Sequence, residues 1–203
     1  MTICEPDKDT LSYDANELCR RIALHTQRTM EFWGRSEGWS PVDAALLLGK
    51  SMLHWQTSLA MSLSRWVNAT SDGDLILAWT NIGALVEGHL QLLLCVYYDD
   101  YADEADGIRR HRKRIGPDEG QLEELRQFFV KHIWNVGTNW SPYVELVQRR
   151  RNAVHAFKER DIGTFQEWTD VLRLHLSFVR DIEDRLPYPD EDGPYFFENG
   201  ERL

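Results

Sequence analysis

The 203-residue chain has only three cysteines, Cys4, Cys19 and Cys95. They are too few and too scattered for a disulfide framework, and no Cys-x-x-Cys pair marks a zinc site. No glycine-rich phosphate loop and no repeat of fixed period is present. Positive charge is the minority: 23 Lys+Arg against 33 Asp+Glu give a net charge of −10. This excludes a surface that coats nucleic acid as a whole, but not a local basic site. The N-terminal stretch MTICEPDKDT is acidic and has no apolar run, so no secretory signal is expected there and a reducing cytosol is the expected compartment. Long apolar runs are limited to one, Leu75 to Tyr98. It carries Asn81, Glu87, His89 and Gln91 near its middle, each costly in lipid, and so reads as a buried core helix.

Hydrophobic residues make up 42% and charged residues 28%, a balance outside the disordered and membrane classes. A chain of this size buries roughly 70% of its unfolded surface, enough for one self-sufficient core. Helical punctuation dominates. A first helix is predicted from about Tyr13 to Trp33, ending before Gly34. Ser40-Pro41-Val42-Asp43 predicts a capped start for a helix reaching about Val67. After a turn at 68–73, Asp72 or Asp74 caps a third helix running to Tyr98. Residues 99–120 read as a charged connector. Shorter helices are then expected over about Gln121–Trp134 and from Ser141-Pro142 to about Phe157. Thr164-Phe165-Gln166-Glu167 is a second capping box, opening a last helix to about Leu186. The expectation is an all-α fold, one bundle of five or six helices over 1–186. Residues 187–203 form an acidic tail in which Pro187, Pro189, Gly193 and Pro194 exclude regular structure.

The most unusual stretch is Arg149-Arg150-Arg151-Asn152-Ala153-Val154-His155. On a continuous helix Arg151 and Asn152 share the face of His155, while Arg150 lies about 140° away but has a long arm. Such a set suits phosphodiester cleavage without metal. Histidine titrates near neutrality and serves either proton role, and the planar guanidinium stabilises charge developing on the phosphorane. The same residues also fit a solvated basic helix face with a histidine at its edge.

An arginine separated from a histidine by four to six residues, with a polar residue after the arginine, resembles the signature of HEPN domains. Arg150 or Arg149 satisfies the spacing to His155. Arg151 restores the Arg-Asn pair but leaves three intervening residues. The helical architecture over about 40–186 is also similar to that family. The resemblance implies a metal-independent endoribonuclease without a cofactor, acting as a homodimer whose motifs face one cleft. It also implies RNA as substrate, an antitoxin or effector as possible partner, and toxin or host-defence systems as the setting. Some members are non-catalytic dimerisation or partner-binding modules.

Glu87, amid apolar neighbours on the third helix, is a candidate partner for a motif arginine, with Gly83 and Gly88 nearby allowing close backbone approach. The run Arg109, Arg110, His111, Arg112, Lys113, Arg114 is a candidate grip on RNA phosphates, or a counter-charge to nearby acids. Trp33, Trp55, Trp66, Trp79 and Trp168 fall in apolar helical surroundings and read as packing residues. The histidines are dispersed without metal-ligand spacing.

Overall fold

The computed structural model describes residues 4–155, 157–189, 196–198 and 201–202. Among these are eight α-helices and two short antiparallel hairpins: α1 Ala15–Trp33, α2 Val42–Lys50, α3 Leu53–Ser62, α4 Asp72–Val96, α5 Tyr98–Asp103, β1 Arg109–Arg110, β2 Lys113–Arg114, α6 Leu122–His132, α7 Ser141–Arg151, α8 Phe165–Arg185, β3 Phe197–Glu198 and β4 Glu201–Arg202. The all-α expectation holds in its helical class, but the described residues form eight α-helices where five or six were expected. No helix among the described residues is long and apolar enough to cross a membrane.

The chain is organised around α4. It is apolar on almost every side, as a helix surrounded by neighbours must be, and α3, α6, α7 and α8 all pack on it. Several polar groups along it find partners: Asn81 Nδ2 donates to the Leu59 carbonyl and to Ser62, and Trp79 Nε1 donates to the Ile162 carbonyl. Helix α1 lies against α3 and α8. Trp33, Trp79, Trp168, Tyr143, Phe129 and Phe178 are fully buried between these layers. All three cysteines are free thiols inside the protein, and burial pushes Cys19 and Cys95 up to about 12.

Several sequence expectations are corrected. The helix expected over 40–67 is broken at Ser51 and Met52, whose ψ values of 142° and 57° leave the helical region. The bend lets α2 cross α4 while α3 runs along α1. Ser40 does not cap α2, since Pro41 occupies the N-cap position without a side-chain bond. At α4 the cap is Ser71, whose Oγ accepts the Asp74 N–H and donates to the Asp74 carboxylate. Trp55 is exposed rather than packed.

The connector 99–120 contains α5 and the β1–β2 hairpin. Its turn residues His111 and Arg112 take φ of 50° and 67°, a left-handed conformation costly for side chains of this size. The expectation that prolines exclude regular structure from the C-terminal tail is corrected: β3 pairs antiparallel with β4, and Phe196 stacks on His25 at 5.3 Å between ring centres. The remaining acids of the tail at 190–192, with Tyr195, lie outside the described residues.

Candidate active-site cleft

Helix α7 stops earlier than its sequence suggests. It ends at Arg151, Asn152–Val154 form a single 3₁₀ turn, and His155 follows at φ −86°, ψ 80°. The alignment of Arg151 with His155 on one α-helical face therefore does not exist. A tight turn, closed by the His155 N–H donating to the Asn152 carbonyl at 3.2 Å, brings the two side chains to a common cleft instead.

The three consecutive arginines diverge. Tyr143, Val147 and Arg150 fall at i, i+4 and i+7 on the buried face of α7, so Arg150 points into the protein. Its guanidinium takes the Glu167 carboxylate through Nη2 at 2.8 and 2.9 Å and the Asp161 carbonyl through Nη1 at 2.7 Å. Nη1 also pairs with the Asp161 carboxylate at 2.5 Å; burial works against the charge of Arg150, but its bonds to the Asp161 and Glu167 carboxylates prevail and raise its pKa, and the Arg150 guanidinium holds the Asp161 carboxyl below its usual range. Thr164 caps α8 by accepting the Glu167 N–H, but the Glu167 carboxylate is engaged by Arg150 instead of closing the capping box. Arg150 thus ties α7 to the start of α8. The expectation that Arg150 stands beside His155 is corrected: it is absent from the cleft lining. Arg149 is exposed on the solvent side of α7.

Arg151 faces α4. Nη1 donates to Glu87 Oε2 at 2.7 Å and to the Gly83 carbonyl at 3.1 Å. Both partners in the ion pair are about a quarter exposed, with side chains at 27% and 26%. The remaining guanidinium nitrogens have no protein partner among the described residues. Gly83 is required for this seat: a Cβ there would run into Arg151 Cδ. One turn on, a Cβ at Gly88 would run into the Gln56 amide, which reaches over from α3.

These close approaches shape a cleft of about 430 Å³ between α4 and the end of α7. Thr80, Glu87 and Gln91 of α4 line one side, Arg151, Asn152, Val154 and His155 at the end of α7 another, and Gln56 of α3 completes the lining. His155 is exposed, and no hydrogen bond to its ring is present among the described residues. A titratable imidazole, a partly engaged guanidinium and a side-chain amide thus share one open surface. Together they can move a proton and bind an anionic oxygen.

Nothing in the sequence singled out Gln56 or Thr80, and Gln91 stood out only as a polar residue of the long apolar run. The one indirect signal for Gln56 was Gly88, a helical glycine at a crossing that only a long side chain from α3 fills. Gln91 also donates to the Asp118 and Gly120 carbonyls, which fixes the segment after the β1–β2 hairpin beside the cleft.

The basic run divides. Arg110 pairs with Glu124 at 2.6 Å, Arg114 donates to the Ala102 and Glu104 carbonyls, and Arg109 donates to the Ala105 carbonyl at 3.3 Å. Arg112 and Lys113 extend from the hairpin tip, exposed and without a protein partner among the described residues. Comparison with family models, curated proteins and solved structures finds no match to this chain.

Proposed function

We propose that the chain is a metal-independent endoribonuclease of the HEPN type. The observation that carries this reading is that Arg151, Asn152 and His155 line one open cleft, with Glu87 fixing Arg151. In this reading His155 exchanges the proton of the ribose 2′-hydroxyl or of the leaving 5′-oxygen. The unpaired N–H groups of Arg151 stabilise the phosphorane, and Asn152 bonds a phosphate oxygen or orients the imidazole. Arg149, Arg112 and Lys113 add phosphate contacts beyond the cleft. The enzyme works in the cytoplasm as a homodimer, so that two copies of His155 serve the two proton roles. An antitoxin or effector protein controls it within a toxin or host-defence system.

Cleavage of RNA in EDTA tests the proposal. The wild-type chain is expected to cut and His155→Ala to lose about a thousandfold. No cleavage of single-stranded or structured RNA by folded wild-type protein overturns it. Light scattering should give roughly twice the 23.8 kDa chain mass.

A second reading, a non-catalytic dimerisation or partner-binding module, is favoured by one observation. The arginine that reaches the cleft, Arg151, has three residues before His155, one short of the family spacing, whereas Arg150, which fits that spacing, serves as an internal clamp. A dimer that persists with no cleavage selects this reading.

A further inference from the structure

A second cluster lies where α5, the following turn and α6 meet. Glu104 closes α5, Asp106 precedes β1, and His132 is the last residue of α6. One carboxylate oxygen from each acid and one ring nitrogen of His132 all lie within 4.8 Å of one another. We propose that Glu104, Asp106 and His132 form a binding site for a divalent cation of the zinc class.

The donor set is mixed, one imidazole and two carboxylates, which suits zinc better than the all-oxygen shell that calcium or magnesium takes. His132 Nδ1 stands 3.4 Å from Glu104 Oε2. Two ligands on one tetrahedral zinc are separated by about this distance, since each bond is near 2.0–2.2 Å. The Glu104 carboxylate is already turned: its Oε1 accepts the Asp106 N–H, which leaves Oε2 toward the imidazole. The imidazole lies against Phe128 at 4.6 Å between ring centres, and its Nε2 is buried with no hydrogen-bond partner among the described residues. Packing, not a competing hydrogen bond, therefore sets the ring. The C-terminal end of α6 adds a partial negative charge that favours a cation. Cavities of about 330 and 270 Å³ flank His132 and leave room for water to complete the coordination.

Lys131 Nζ pairs with the Asp106 carboxylate, and both side chains are exposed, at 58% and 60%. Its ammonium is thus a weakly held competitor for the same carboxylate. Its removal should strengthen cation binding at Asp106, and dependence on the His132 imidazole is what an acidic surface patch alone would not show.

The experiment is calorimetric titration of the untagged full chain with zinc, with magnesium in parallel. One zinc per chain is expected, with a Kd on the order of 10 μM. His132→Gln and Glu104→Gln should each weaken it at least about tenfold. Lys131→Ala should tighten it several-fold, because the competitor is gone. Zinc binding that survives His132→Gln, an unchanged affinity in Lys131→Ala, or no binding up to about 1 mM zinc by protein folded in circular dichroism overturns the site. The readout is independent of RNA cleavage, so the two proposals fail separately.

Discussion

Two adjacent arginines have opposite assignments, and substitution separates them. Arg150→Ala removes a nearly buried guanidinium from Glu167 and Asp161. It is expected to cost on the order of 2 kcal/mol, less than a fully sealed pair because Asp161 is well exposed; urea unfolding measures it. Arg151→Ala should leave the unfolding midpoint nearly unchanged and abolish cleavage. If Arg151→Ala cleaves like wild type, the guanidinium has no part in the chemistry. Glu87→Gln keeps the hydrogen bond but drops the charge, so a partial loss of cleavage, about tenfold, is expected without loss of stability. The division between Arg150 and Arg151 was present in the sequence, because Tyr143 and Val147 set the helix phase. What the sequence does not show is the partner waiting on that buried face, the Glu167 carboxylate at the start of α8.

At the scale of elements, α1, α4 and α8 were legible from their long apolar patterns, and α8 also from its cap Thr164; the caps that accept an N–H at the starts of α1 and α4, Asp14 and Ser71, were not singled out. The break between α2 and α3 was not legible, since Ser51 and Met52 are not helix breakers and only the crossing of α4 demands the bend. The early end of α7 was hidden for a similar reason, with no proline or glycine marking it. The return from α7 to α8 depends on Gly163, at φ 67°, where a Cβ would strike the Glu167 carboxylate and come within 3.1 Å of Arg150 Cζ. Gly163→Ala is therefore expected to destabilise by about 1–3 kcal/mol in thermal or urea unfolding, through the backbone and through the clamp together. The cleft itself was half legible: Glu87, Arg151, Asn152 and His155 could be named, whereas Gln56, Thr80 and Gln91 enter only through helix packing.

The whole molecule carries a pH dependence in its core. His89 Nδ1 donates to the Leu85 carbonyl, His175 Nδ1 pairs with the Tyr143 hydroxyl, and both rings are fully buried. Burial lowers both pKa values, that of His175 well below its ordinary value. Above about pH 6.5 neither group is charged in either state, and no stability is lost. As pH falls below that value the unfolded chain takes up protons that the folded core refuses. Stability should then drop by up to about 2.7 kcal/mol per pH unit until the folded values are reached. Urea unfolding at pH 7.5 and 5.5 measures this, and equal stabilities at the two would contradict it. Helix α4 also gives the cleft unequal walls. The wall bearing Glu87 belongs to the most deeply enclosed helix, so its amides should exchange with deuterium only on global unfolding. The wall bearing His155 rests on a single exposed turn, and its amides should exchange first. A bound anion would thus meet a fixed template on one side, while the proton-carrying ring on the other samples several orientations around it.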